Sequence, residues 1–182
     1  MTEDTPKGGK LRVADLSQSA ATGFALHPDA AQMKQIATEL ELDGLRKMRF
    51  TGEVTADGTR DWLLTGKIGA TVVQPCVVTL KPVTTRIEAD VRRLYVPDFT
   101  EPQGEEVEMP EDDEMEPLGR EIDLNAVMIE ALSLALPVYP RADEAKLDET
   151  NFTEPGKQAM TDDDAKPFAA LAALKAQQRD DD

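Results

Sequence analysis

Apolar side chains recur along this chain with two different periods, and the change between them marks out its elements. His27-Pro28-Asp29 reads as a helix start, with Pro28 at an early helical position and Asp29 near the positive end of the dipole. Met33, Ile36, Ala37 and Leu40 follow at i, i+3, i+4 and i+7, which places them on one stripe. From Leu45 the spacing becomes that of a strand with one buried face: Met48, Phe50 and Val54 alternate with Arg49, Thr51 and Glu53. Ala56-Asp57-Gly58-Thr59 supplies a turn, after which Trp62, Leu64, Ile68, Ala70 and Val72 continue the alternation. A third run sets Ile87, Ala89 and Val91 against Arg86, Glu88 and Asp90 and continues to Tyr95, before Pro97 stops it. Consecutive strands with short turns predict an antiparallel meander, open or partly closed as a barrel. Further on, Asp123 is a plausible N-cap. Leu124, Val127, Met128, Ala131, Leu134 and Ala135 then form the apolar face of a second helix, which Pro137 ends. The predicted class is α+β: a meander or partly closed barrel with two flanking helices.

Charge sharpens the boundaries. The 182 residues carry 20 Lys+Arg against 36 Asp+Glu, a formal net charge of −16, but the balance is uneven. It is −3 over residues 1–43, +4 over 44–97, −10 over 98–118, −2 over 119–140 and −5 over 141–182. The 98–118 segment has ten acidic side chains, no basic one, and Pro102, Pro110 and Pro117, so it reads as a solvated acidic loop. The expected organisation is a flexible N-terminal arm over 1–11 and one domain over 12–140 carrying that loop. A largely disordered acidic tail over 141–182 follows, with a short helix around 167–178 as its one element. A chain of this length suits one domain with tails.

Composition also narrows the chemistry. One cysteine, Cys76, and one histidine, His27, leave no intramolecular disulfide and too few soft ligands for a structural zinc site. No phosphate-binding glycine loop, dinucleotide fingerprint or nucleophile elbow is present, so catalytic, cofactor-binding and metal residues are all expected to be none. The run of carboxylates lacks the glycine turn of a calcium loop. A reactive Cys76 would need His27 as its base; a small, partly buried thiol at a strand end is the plainer expectation. The acidic N-terminus has no apolar signal core, and the longest apolar stretch, around 126–139, is interrupted by Glu130. A soluble, unsecreted, cytoplasmic protein without membrane contact is expected.

The basic middle holds the candidate binding surface. If the alternating apolar positions face inward, Arg49, Lys67, Arg86 and Arg92 share the outward face of one sheet, where they could track phosphates. Glu53, Glu88 and Asp90 lie on or near the same face, and the aromatic interleaving of single-strand RNA platforms is absent. An ordinary solvated sheet face is therefore the competing expectation. Glu130, the one charge on its helix, is expected to pair with a strand arginine, or else to meet a partner.

Two segments carry a family resemblance. Pro75-Cys76-Val77-Val78-Thr79-Leu80-Lys81-Pro82-Val83 is similar to the C-x-R-C-L-x-P-type turn of the YceD family, the large ribosomal RNA subunit accumulation proteins. Glu121-Ile122-Asp123-Leu124, followed by Glu130-Ala131-Leu132-Ser133-Leu134-Ala135-Leu136-Pro137-Val138-Tyr139-Pro140, resembles that family's helix and its exit. The order of elements resembles an alphaproteobacterial-type member. Signature positions implied by the resemblance are Cys76, Leu80, Pro82, Asp123, Leu124, Glu130, Leu134, Pro137 and Pro140. For most of them the physical account is scaffold: Asp123 caps, Leu124 and Leu134 pack, Pro137 and Pro140 set the exit. Thr79 stands where the turn has its second cysteine, and no cysteine follows Pro140, so no metal or redox role is carried over. The family implies a non-enzymatic factor in large-subunit ribosomal RNA accumulation and ribosome assembly. Its expected partner is ribosomal RNA, a pre-ribosomal particle or a basic ribosomal protein. The alternative is an acidic adaptor that shields a basic ribosomal protein without touching RNA.

Overall fold

The computed structural model describes residues 7–97 and 115–146, together with residues 154, 156 and 157. The chain divides into two units, Met1–Asp143 and Glu144–Asp182. In the second, Lys157 pairs with Glu154 at 2.7 Å around a turn at Gly156, whose φ is 89°. The expected tail helix around 167–178 lies outside the described residues, as do residues 98–114 of the acidic loop.

Three long strands dominate the first unit because their alternation is sustained: β3 (Gly44–Asp57), β4 (Asp61–Pro75) and β5 (Pro82–Val96). They extend a five-stranded sheet in the order β2-β3-β4-β5-β6, in which β2 is Thr22–Leu26 and β6 is Met115–Pro117. All neighbours are antiparallel except β5 and β6, which run parallel in the register Leu94–Met115, Tyr95–Glu116, Val96–Pro117. The sheet stays open, with β2 and β6 at its edges, so no barrel closes.

A second, two-stranded sheet pairs β1 (Lys10–Arg12) with β7 (Glu121–Asp123). Two expectations are corrected here. Lys10 and Leu11 belong to the fold rather than to a flexible arm, since Leu11 is buried in the core. The last residues of the acidic segment, Met115–Pro117, form a strand rather than loop.

Helix α1 (Ala30–Glu39) starts on a capping box: the Gln32 N–H donates to Asp29 Oδ1 at 2.8 Å, and the Asp29 N–H donates to Gln32 Oε1 at 2.9 Å. Pro28 therefore precedes the cap instead of occupying the first turn. Helix α2 (Leu124–Ala135) is capped by Asp123, whose Oδ1 accepts from the N–H groups of Asn125 and Ala126. Leu136, before Pro137, is extended and ends it.

The core joins the two helices to one face of the sheet. Phe24, Phe50, Val54, Leu64, Ile68, Val72, Ile87 and Val91 meet Ile36 from α1, and Leu124, Val127, Met128 and Leu132 from α2. Leu134 departs from expectation: it is 74% exposed, while Leu132 is fully buried. At about 100° per residue, Leu132 and Leu134 fall at opposite edges of the buried stripe, about 70° and 90° from its centre, and only Leu132 is covered.

A bulge interrupts β3, where the pairing steps from Arg46–Thr71 to Arg49–Gly69 with one extra residue on β3. Lys47 lies in this step with φ of 51°, and the bulge lets Leu45 and Met48, three apart, both face the core. Facing glycines, Gly52 and Gly66, make room on the inner surface for Phe24 and Phe50, whose ring centroids are 4.9 Å apart.

Candidate functional site

The register brings the four candidate cations to one surface. Arg49 lies opposite Gly69, which lies opposite Glu88; Lys67 faces Asp90; Thr71 faces Arg86; and Thr65 faces Arg92. All belong to the set of positions that alternates with the buried side chains, so Arg49, Lys67, Arg86 and Arg92 share the outer face of the sheet. The absence of a side chain at Gly69 matters here. A Cβ there would lie within 2.9 Å of the Arg49 and Arg86 guanidiniums and the Glu88 carboxylate, so these three groups lie across the strand backbone itself.

These cations meet acids on the same face. Arg49 Nη2 donates to Glu88 Oε2 at 2.8 Å, Arg86 closes on the other side of the same carboxylate, and Lys67 lies 3.1 Å from Asp90. The Arg86 and Arg49 guanidiniums hold the Glu88 carboxyl below the usual carboxylate range. Arg86 also reaches the Thr71 hydroxyl at 3.3 Å and the bulge carbonyl of Lys47 at 3.5 Å. Arg46, opposite Thr71 and exposed, belongs to this face too, so the face is a mosaic of five cations with Glu53, Glu88 and Asp90, and Thr51, Thr65, Gly69 and Thr71 lie between them.

On the inner side, Arg93 supplies the partner expected for Glu130. Its Nη2 lies 2.9 Å from Glu130 Oε1, and its Nε lies 2.9 Å from Glu116 Oε1, joining β5, β6 and α2. The Arg93 side chain is only 14% exposed. Burial opposes its charge, but the two carboxylates outweigh that and push its pKa upward. Burial likewise pushes the neighbouring Tyr95 phenol up. Arg93 was not among the sequence candidates, although the strand period carries the signal, because Arg92 and Arg93 must point to opposite faces.

The β4–β5 turn contains Cys76 and Leu80. Cys76 N–H donates to the Lys81 carbonyl at 2.8 Å and Leu80 N–H to the Cys76 carbonyl at 2.9 Å, closing a tight loop. Three bonds clamp the chain leaving α2 onto this turn: Val77 N–H to the Pro140 carbonyl at 2.9 Å, Gln74 Nε2 to the Pro137 carbonyl at 3.3 Å, and Ala142 N–H to Cys76 Sγ at 3.4 Å. The thiol is fully buried, beyond the partial burial expected of it. The Thr79 hydroxyl and the Ala142 N–H, with further backbone donors, hold its pKa down to about 6 against the opposing effect of burial. Thr79, in the place of a second cysteine, thus completes the turn as a hydrogen-bond donor. Among the described residues no group of three or more His, Cys, Asp or Glu is placed to hold a metal ion.

Leu80 is held differently from the rest of the turn. Its φ is 58°, in the left-handed region, which costs a leucine about 1 kcal/mol or more, and its side chain is 78% exposed. Val77, Val138 and Tyr139 are also exposed at this end of the molecule. Pro82 pairs with Pro75 to open β5, and Pro140 is buried against the turn.

Comparison with known families gives a match over residues 64–175, well over half of the chain, to the family described as large ribosomal RNA subunit accumulation protein YceD. The chain belongs to the YceD family. The matched region begins inside β4 and takes in the β4–β5 turn, β5, the acidic segment, β6, β7, α2 and its clamped exit; β1, β2, α1 and β3 precede it. A search of curated proteins and a search of solved structures each return no match. Membership in YceD implies involvement in the accumulation of large-subunit ribosomal RNA. Among the described residues no helix is long and apolar enough to cross a membrane.

Proposed function

We propose that this YceD protein is a cytoplasmic, non-enzymatic factor that promotes large-subunit ribosomal RNA accumulation by binding RNA on the outer face of its sheet. One observation carries the reading: Arg49, Lys67, Arg86 and Arg92 share the outer face of β3, β4 and β5. Their ion pairs are exposed, and such pairs are worth about 0–1 kcal/mol, so RNA phosphates can displace Glu88 and Asp90 at little cost. Glu88 meanwhile keeps two guanidiniums aligned at the spacing of the strands. Fluorescence anisotropy with large-subunit ribosomal RNA fragments tests this, comparing the native chain with a variant carrying Arg49→Glu, Arg86→Glu and Arg92→Glu. Binding should weaken at least roughly tenfold, with a shallower dependence on salt. Equal binding by both proteins, or none by either, rejects the outer face as the RNA contact.

The −10 charge of residues 98–118 favours a second reading, in which the acidic segment shields a basic ribosomal protein. Because Met115–Pro117 forms β6, a clean test removes residues 100–114 and spares the strand. Capture of basic ribosomal proteins that survives this deletion rejects the shield.

A further inference from the structure

Residues three apart on a regular strand point to opposite faces, yet Arg46 and Arg49 of β3 both lie on the outer face of the sheet. The bulge makes this possible. β3 advances three residues from Arg46 to Arg49 while β4 advances two, from Thr71 to Gly69, and the extra residue turns Arg49 to the face that Arg46 occupies. From β5, Arg86 stands opposite Thr71 and Glu88 opposite Gly69. Two rows cross the sheet here, Arg46–Thr71–Arg86 and Arg49–Gly69–Glu88, and the middle of the second has no side chain to hold the charged groups apart.

In these rows three cations face one carboxylate. Arg49 uses a single nitrogen, Nη2, for both Glu88 oxygens, at 2.9 Å and 2.8 Å. Arg86 gives Nε at 3.0 Å and also Nη2 to Glu88 Oε1, and turns Nη1 to the Thr71 hydroxyl and the Lys47 carbonyl. Both Glu88 oxygens are thus taken, and Arg46, exposed one row along, has no ion-pair partner among the described residues. The other end of the face is balanced: Lys67 and Arg92 share it with Asp90 and Glu53. The positive excess of the outer face therefore lies at the bulge.

We infer that Arg46, Arg49 and Arg86 form a phosphate-binding subsite at the bulge, and that Glu88 holds the place of an RNA backbone phosphate until one displaces it. This rests on the reading of the outer face as an RNA contact and adds where on that face the backbone is gripped. A phosphodiester matches what Glu88 supplies, one negative charge on two terminal oxygens, which guanidiniums bind side by side. Arg49, Arg86 and Glu88 are all partly exposed, so an incoming phosphate reaches them without opening the fold. No aromatic side chain stands in either row, so the contact is with backbone and not with stacked bases. Membership in a family of large ribosomal RNA accumulation favours ribosomal RNA as the source of the phosphate.

The test uses the full chain with two labelled probes read by anisotropy at about 0.15 M salt: a large-subunit ribosomal RNA fragment, and polyglutamate to represent the carboxylates of an acidic protein segment. Glu88→Gln should tighten RNA binding at least about threefold, whereas Asp90→Asn, the same charge change at the balanced end, should alter it less than about twofold. Arg46→Ala should weaken binding at least about threefold and lower the slope of log affinity against log salt by about 1. Lys34→Ala on α1, a matched loss of charge elsewhere, should leave both unchanged. All four side chains are exposed, so melting temperatures should stay at the native value and separate lost contact from lost folding. Equal gains from Glu88→Gln and Asp90→Asn reduce the effect to net charge and overturn the subsite. Polyglutamate bound as tightly as RNA, with the same gain from Glu88→Gln, also overturns it and assigns the arginines to protein carboxylates. RNA binding by the native chain that Glu88→Gln and Arg46→Ala leave unchanged rejects the subsite alone; a native chain that binds no RNA rejects the outer-face reading with it.

Discussion

Asp123 ties the β1–β7 ribbon to the start of α2. Its carboxylate caps α2 through Asn125 and Ala126 and pairs with Lys10 of β1 at 3.2 Å. Partial burial pushes its pKa up, but the Ala126 N–H, Lys10 and the Asn125 N–H more than offset this and hold it below the usual carboxylate range. Asp123→Ala should lower stability in urea denaturation by about 1–2 kcal/mol, the range of a lost N-cap. The pH dependence has a definite sign. Because the folded carboxyl has the lower pKa, its stabilisation is complete above roughly pH 4–5 and is lost as pH falls through the folded value. The native chain should therefore lose its advantage over Asp123→Ala in acid. A difference in urea midpoint that stays constant from neutral pH down to about pH 3 would contradict this role.

At the scale of elements, the three long strands and both helices were legible because their apolar periods run long enough to separate a period of two from one of 3.6. The rest was not, for identifiable reasons. β1, β6 and β7 are three residues each, too short for any period, and β6 lies at the end of a carboxylate run that reads as loop. β2 shows only Phe24 and Leu26 as an alternating pair, and its place beside β3 depends on tertiary contact. Alternation also placed the four outer-face cations together, while hiding that Leu80 is displayed rather than buried, since apolar letters in a turn look like core. The left-handed backbone of Leu80, with φ of 58°, leaves no mark in the hydropathy pattern. Gly52 tests how the central strands accept both phenyl rings. An added Cβ would overlap the Thr65 carbonyl and the Phe24 ring, so Gly52→Ala should cost about 1–3 kcal/mol by overpacking. An unchanged thermal midpoint would show that β3 and β4 can spread at this point.

Across the whole molecule, charge and apolarity are sorted by place. The −16 total describes the loop and the termini more than the surface that can bind, because the sheet face is near balance. Contact with RNA at the outer face should accordingly weaken steeply with ionic strength. A salt titration of RNA binding that gives a flat slope would contradict this.

The short β1–β7 ribbon also imposes an order in time. Lys10 pairs with Asp123, and the Asn125 side chain donates to the Gly8 carbonyl, so the start of the chain holds the start of α2 across more than a hundred residues. β1 leaves the ribosome more than a hundred residues ahead of β7 and has no partner strand until β7 has emerged, so Leu11 cannot complete its packing before then. The N-terminal segment thus acts as a latch that is made early and closes late, joining the fold only after the sheet it helps to cover has been built.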